Sequence, residues 1–496
     1  MSEGGGDGAE GGGEDRADPN GSADGSSDRE TAGASGDPGE GSVPGPSGDA
    51  APPMDRARRA LDRLARASAT ERFLLSFAAL VLSIAVGTVL VLAAGRATTC
   101  ETAAFVLTHP TPFGLPRLFS MGFCFDPVAV FDRLFFGALG DPFKRGWGPL
   151  SPFRGGPLNP FREGYELLNP QMAVTLRETT ILVFSGLAVA VAFRAGIFNI
   201  GTQGQLVLGA LGTGLSVLWA APFVPAGMDG TVVLVTLGLL VGAVVGGLYG
   251  AIPGALKAYA EANEVITTIM LNFVATGVAF FLVANYFRNP DSQAVETTPV
   301  PDYANVPPLL FEPRDDFSFI ALGLGAALVV GVYYLLEQTS FGYDVRTSGL
   351  QPDAAEYGGV NAERTVVYSM ALSGALGGIG GAIYVLMILG KFQTGVPAYG
   401  FDGITVSILA GNNPLGVGFA AFLFGTLKSG STVVQFATDV PPQLVGVLRG
   451  LIILFVAMPE FFRMLARGIG PTADPERRAV AADGSGAVDT GGETDE

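Results

Sequence analysis

The chain has 496 residues, 48% of them hydrophobic, a mean hydropathy of +0.41 and a formal net charge of -17. That is too apolar for an ordinary soluble domain. The apolar residues come in long blocks, and about 20 such residues suffice for a helix to cross a bilayer, so an all-α polytopic membrane protein is expected.

The charge sits at the two ends. Residues 1–53 carry twelve acids and two arginines, and residues 468–496 carry seven acids and two arginines, so -10 and -5 of the -17 lie outside the apolar region. Both stretches are rich in Gly, Ser and Pro and poor in large apolar residues. They cannot bury enough surface to offset ordering entropy and are expected to be disordered acidic tails. Residues 54–72 form a basic juxtamembrane segment with Arg56, Arg58, Arg59, Arg63, Arg66 and Arg72. Such a cluster beside the first span predicts a cytoplasmic N-terminus. No small-residue cleavage site closes the first apolar run, so that span is expected to stay in the membrane.

The membrane domain is expected over residues 73–467. The first span runs from about Phe73 to Ala94. An insert rich in Pro and Phe follows at 95–171 and is expected outside the cell; its basic residues are compatible with this, because loops longer than about 60 residues escape the positive-inside rule. It holds both cysteines, Cys100 and Cys124, and the single histidine, His109. The cysteines either form a disulfide on the oxidising side or pack as thiols. One histidine without neighbouring ligands does not make a metal site.

Further spans are expected at about Met172 to Phe193, Leu206 to Ala221, Thr231 to Ala251, Val265 to Tyr286, Phe317 to Leu336 and Thr365 to Leu389. A short apolar segment from Gly400 to Ala410 reads as a half-helix, and spans at about Leu415 to Val434 and Pro442 to Met458 close the domain. Ten segments place both termini in the cytoplasm, in agreement with Arg463 and Arg467. Gly242, Gly246 and Gly250 lie four apart on one helix face, a spacing that lets helices approach closely. Gly374, Gly377, Gly378, Gly380 and Gly381 are read the same way, since no strand precedes them to make a nucleotide fingerprint.

Two polar stretches interrupt this pattern. Asn199, Gln203 and Gln205 lie with Gly201 and Gly204 between two apolar runs. Amides at membrane depth usually face a protein interior or a water-filled path, and glycines permit an unwound backbone there. The stretch is either a pathway lining or a short cytoplasmic turn. Asn272, alone inside its span, is either interhelical glue or a substrate contact. The second stretch, 338–365, is polar and by span counting cytoplasmic. It holds Gly349, Asp353, Ala354, Ala355 and Gly358, with a short helix expected after Pro352.

Gly349–Gly358, with its central Ala354-Ala355 pair, resembles the cytoplasmic coupling loop of importer-type ABC transporter permeases. Phe193-Arg-Ala-Gly-Ile-Phe-Asn-Ile-Gly-Thr-Gln-Gly-Gln205 resembles the matching stretch of the branched-chain amino acid/simple-sugar/nucleoside permease family. Asn263-Glu264-Val-Ile-Thr-Thr-Ile-Met-Leu-Asn272 and Gly411-Asn-Asn-Pro-Leu-Gly416 are similar to its nucleoside and simple-sugar branch. The resemblance covers about Val174 to Ala457. The chain departs from the nucleoside-type pattern at Gln203, where Glu is usual, and in the length of the 95–171 insert. Scarce lysine (Lys144, Lys257, Lys391, Lys428) beside plentiful acids resembles haloarchaeal usage.

The resemblance implies a membrane-spanning permease subunit of an ATP-driven importer, carrying a nucleoside or simple sugar. It implies Asn199, Gln203, Gln205 and Asn272 in the substrate pathway and Gly349, Asp353, Ala354, Ala355 and Gly358 in coupling, with Asp353 capping the short helix. No catalytic residue and no cofactor of its own are expected. ATP would be hydrolysed by separate ABC ATPase subunits. A second permease subunit, as hetero- or homodimer, an extracellular substrate-binding lipoprotein and membrane lipid complete the expected partners; nucleic acid is not among them. The competing reading is a self-contained secondary transporter or channel. Only Glu178 and Asp402 put acids in or beside the spans, which argues against proton coupling. A membrane enzyme ranks last, because the spans hold no nucleophile motif or acid pair.

Overall fold

In the computed structural model, residues 69–108, 120–141 and 166–457 are described. The two acidic tails, residues 54–68 of the basic segment and His109 lie outside the described residues.

Helix starts follow from short polar side chains placed before Pro or before an apolar run. The Asn169 side chain accepts the Met172 N–H ahead of α3 (Pro170–Arg194), with Pro170 in the first turn. Asn263 accepts the Val265 and Ile266 N–H groups ahead of α6 (Glu264–Leu282), and Asn413 accepts that of Leu415 ahead of α12 (Pro414–Ala437). Each cap satisfies donors that have no partner within the helix. The other long helices are α1 (Ala69–Ala97), α4 (Thr202–Ala220), α5 (Met228–Ala260), α7 (Phe319–Gln338) and α10 (Ala362–Ile383). The helices α6 and α10 continue in wider π-type turns, Val283–Phe287 and Tyr384–Leu389.

Eight helices among the described residues are long and apolar enough to cross a membrane. They correspond to eight of the ten expected segments. The other two are the half-helix, which is α11 (Tyr399–Leu409), and α13 (Pro442–Ala457), which reaches the end of the described residues. At 11 residues α11 is about 16 Å long, roughly half the hydrocarbon core.

Burial separates the centre of the bundle from its rim. In α3, 83% of the apolar window is buried and in α10 72%, against 22% in α6 and 28% in both α1 and α7. The core therefore gathers around α3 and α10, and the lightly buried helices expose Phe273, Phe280, Phe281 and Val330 at the outer surface. The glycines of α5 and α10 meet along an antiparallel contact. A Cβ on Gly246 would lie 2.3 Å from the Gly374 carbonyl oxygen, and one on Gly378 only 2.0 Å from that of Gly242. No residue larger than glycine fits without moving a backbone, so this close approach is written in the sequence spacing.

The described residues of the insert hold regular structure. Cys100 and Cys124 form a disulfide, S–S 2.02 Å. An antiparallel hairpin pairs β1 (Phe105–Thr108) with β2 (Ser120–Phe123), and α2 (Pro127–Phe135) follows, capped by Asp126. Pro127, Val130 and Leu134 form the buried face of α2, which packs against α12: a Cβ on Gly430 would collide with the Leu134 carbonyl oxygen.

Gly378→Val is expected to force α5 and α10 apart at a cost of about 1–3 kcal/mol or more. The check is folded yield and thermal stability in detergent, both of which should fall well below wild type. Wild-type stability in this variant would contradict the packing account.

Candidate translocation site and coupling surface

The α3 helix ends at Arg194, and α4 starts only at Thr202, deep in the bundle beside Gly377 of α10. The seven residues between turn back through Gly196, whose φ of +71° suits glycine. A chain broken inside the membrane needs partners for its freed backbone groups. Three amides supply them. Asn199 is fully buried; its Nδ2 donates to Ser373 Oγ (2.7 Å) and Gln205 Oε1 (3.1 Å), and its Oδ1 accepts the Gly201 N–H (3.0 Å). Asn272 Oδ1 accepts the Gly204 N–H (2.8 Å), and its Nδ2 donates to the Ile200 carbonyl (2.9 Å). Asn199, Gln205 and Asn272 therefore staple the turn from within.

Gln203 does something different. Its Oε1 accepts the Gly400 N–H (2.8 Å), while its Nε2 donates to the carbonyls of Pro397 (3.0 Å) and Val396 (3.3 Å). The N-terminal ends of α4 and α11 thus meet at this side chain; a Cβ on Gly400 would sit 2.3 Å from the Gln203 nitrogen. Two helix N-termini converging at depth favour electron-rich groups here, and Asp402 in the first turn of α11 is paired with Lys428. Beside it lies a small, partly open cleft lined by Gln203, Val207, Thr276, Phe392, Thr394 and Val396 among others. Gln203 borders this cleft, whereas Asn199, Gln205 and Asn272 are not among its lining residues.

The cleft wall is strapped to the segment preceding α7. Thr297 N–H donates to the Phe392 carbonyl (2.9 Å), Thr394 N–H to that of Val295 (3.1 Å), and Val300 N–H to that of Gly390 (2.7 Å). Lys391 Nζ pairs with the buried Glu296 carboxylate at 2.9 Å. Hydrogen bonds from Lys391 and then Ser292 hold the Glu296 pKa below its ordinary value of 4.5.

The acids noted beside the spans are paired with cations, Glu178 with Arg177 (3.5 Å) as well as with Lys428. Lys428 Nζ lies 2.9 Å from Asp402 and 3.4 Å from Glu178, over the ring of Tyr399, whose hydroxyl donates to Glu178 Oε1 (3.1 Å). This cluster was not foreseen, because its members are spread over α3, α11 and α12. No group of three or more His, Cys, Asp or Glu able to hold a metal occurs among the described residues.

At the other end of α7 the polar stretch folds into two helices, α8 (Ser340–Leu350) and α9 (Pro352–Tyr357). The second was expected after Pro352. The first was not, because Gly342 and Gly349 mask it, but Thr339 caps it through the Gly342 N–H. Asp353, Ala354 and Gly358 are exposed, and Ala355 is buried. Gly349 faces inward, where a Cβ would lie 2.4 Å from the Arg194 carbonyl oxygen. One expectation needs correction. Asp353 is not the cap of α9: Gln351 occupies that position and Asp353 sits in the first turn, where its charge favours the helix dipole. Sequence reasoning also missed Leu350 and Tyr357, 88% and 95% exposed on the same short segment. Large apolar side chains flanking a solvated Pro-Asp helix were the available signal.

Residues 171–457 match the family described as branched-chain amino acid transport system / permease component. The chain belongs to this family. It is 36% identical over 301 residues to a guanosine ABC transporter permease protein of Bacillus subtilis, covering 59% of this chain and 82% of that relative. It is 31% identical over 356 residues to a nucleoside ABC transporter permease protein of Lactococcus lactis, covering 70% and 88%. A glucose ABC transporter permease protein of Haloferax volcanii is 31% identical over 315 residues, covering 61% and 81%. The chain is thus a multi-pass permease of the cell membrane, a transport subunit of an ABC system and not an enzyme.

The depressed Glu296 carboxyl sets a pH dependence. A lowered folded-state pKa adds stability above the unfolded pKa, and that stability is lost as pH falls through the folded value. Wild-type protein should therefore melt higher than Glu296→Gln at pH 7, and the gap should close on acidification below 4.5. A gap that widens as pH falls would contradict the assignment.

Proposed function

We propose that this chain forms one membrane half of an ATP-driven importer for a nucleoside or simple sugar, with the cleft at Gln203 on the substrate path. The observation that carries this reading is the meeting of the N-termini of α4 and the half-helix α11 at a neutral amide beside that cleft. Helix N-termini favour electron-rich oxygens and nitrogens, and Gln203, Thr276 and Thr394 offer polar groups on an otherwise apolar wall. Such a site suits an uncharged ligand rich in hydroxyls or ring nitrogens. The names of the relatives, guanosine, nucleoside and glucose permeases, support the same class. Asn199, Gln205 and Asn272 contribute by holding the broken backbone that presents Gln203.

The exposed face of α8 and α9, with Leu350, Ala354 and Tyr357, is the docking surface for an ABC ATPase subunit. Its exposure of large apolar groups on a rigid short helix supports that role. The arginines at 56–72 beside the first span, with span counting, support a cytoplasmic position for residues 338–365. A second permease subunit would complete the pathway, and a substrate-binding lipoprotein would deliver to the opposite end, where the 288–316 segment lies. The self-contained transporter reading is weakened by the pairing of Glu178 and Asp402, the two acids in or beside the spans, with Lys428.

The test is uptake of labelled guanosine and labelled glucose in a strain deleted for this gene. The wild-type gene should restore uptake of one of them, and Ala354→Glu, which puts a charge on the docking face, should reduce it at least about tenfold while reaching the membrane normally. Restoration of neither, or full uptake by Ala354→Glu, would overturn the reading.

A further inference from the structure

One side chain joins the docking segment to both broken helices. Arg194 is the last residue of α3. Its Nη1 lies 3.1 Å from Glu337 Oε1, at the end of α7. The other oxygen of Glu337 is held by Arg346 of α8. The Nε of Arg194 donates to the Asn412 carbonyl (2.9 Å), in the left-handed turn that ends α11. The backbone beneath is packed with no slack: Gly349 of α8 lies against the carbonyl of Arg194 and the nitrogen of Gly196, and a Cβ on either glycine would be within 2.9 Å of the other's backbone or nearer. Two residues further on, the turn through Asn199 begins, and it delivers Gln203 to the cleft.

We infer that Arg194 is the positioning residue that passes movement of α8 and α9 to α4 and α11, whose N-termini meet at Gln203. This rests on the importer reading above. A guanidinium suits the task because its donors are fixed in one plane, so Glu337 and the Asn412 carbonyl are held at a set angle to each other. The three charges involved are each about one-quarter to one-third exposed, so the cluster adds little as a plain surface ion pair. Its value is geometric. If α8 moves with a closing ATPase, Glu337 and Gly349 push on the end of α3, and the Nε bond draws the end of α11 with it. Both ends of the Gln203 contact then shift together, as packed elements move between discrete arrangements. No other described contact reaches from this cluster to the α11 end through a single side chain of α3.

The test uses the whole transporter, this chain with its partner permease and ATPase subunits, reconstituted in liposomes with whichever of guanosine or glucose the wild type carries. The variants are Arg194→Gln, Arg194→Lys and Glu337→Gln. ATPase subunits should co-purify with each at wild-type stoichiometry, and ATP hydrolysis should persist. Substrate moved per ATP should fall about tenfold in Arg194→Gln, with KM for substrate little changed. Arg194→Lys should recover part of the loss, because it keeps the pair with Glu337 but not the planar fork. Wild-type stoichiometry of transport to hydrolysis in a folded Arg194→Gln complex would overturn the inference and leave the importer reading intact. Loss of ATPase co-purification would also overturn it, by showing that Arg194 merely holds the docking surface. A wild-type complex with no ATP-dependent uptake would sink the importer reading, and this inference with it.

Discussion

A helix broken inside a membrane leaves backbone donors and acceptors that water cannot reach, and each one left unpaired in a buried place costs about 1–3 kcal/mol. The rest of this structure depends on how that demand is met between Arg194 and Thr202. Asn199 and Asn272 hold the Gly201 and Gly204 N–H groups and the Ile200 carbonyl, and Gln205 locks Asn199 in place. With those bonds made, α4 can start at mid-depth. The space below its first turn is filled by α11, which starts where α4 starts and runs the other way. Gln203, in the first turn of α4, accepts the Gly400 N–H at the start of α11 and borders the cleft. The site is therefore a consequence of a backbone repair.

The same logic explains why a neutral amide suffices where a carboxylate would be expected. A glutamate at 203 could accept the Gly400 N–H, but it could donate nothing to the carbonyls of Val396 and Pro397. Two lone-pair contacts would replace two hydrogen bonds, and the cleft wall would lose its tie. Glutamine serves both partners at once. The glycine contact of α5 with α10 and the α3 core supply the frame, while Lys428 and Arg177 offset part of the cost of the Glu178 and Asp402 carboxylates at its edge.

Much of this was legible in sequence, and what was missed has physical causes. Long apolar blocks fix spans because hydrocarbon thickness fixes length, so α3 to α7, α10 and α12 fell close to expectation. Glycine spacing foretold a close helix contact, because only backbone can meet backbone at such distances. The half-helix at Gly400 was readable from its length. The roles of individual amides were not. Asn199 and Gln203 lie four residues apart in one motif, yet one is sealed in the interior and the other borders the cleft, and only the return of the chain through Gly196 decides which is which. That Gly349, read among the coupling residues, has Arg194 as its neighbour is a contact between residues 155 positions apart that no local pattern shows. The insert hid α2 because its buried face is only three residues, Pro127, Val130 and Leu134, in a Pro- and Phe-rich setting. Its disulfide stood as one of two open readings, and the structure makes the bond.

The central claim is that the cleft beside Gln203 lies on the substrate path. Both natural cysteines, Cys100 and Cys124, are joined in a disulfide, so a thiol introduced at Thr394 is the one free sulfhydryl in the chain. The measurement is the labelling rate of Thr394→Cys by a small water-soluble thiol reagent in the assembled transporter. The account predicts that ATP changes the rate and that the transported substrate slows it. Labelling indifferent to both ATP and substrate would contradict it.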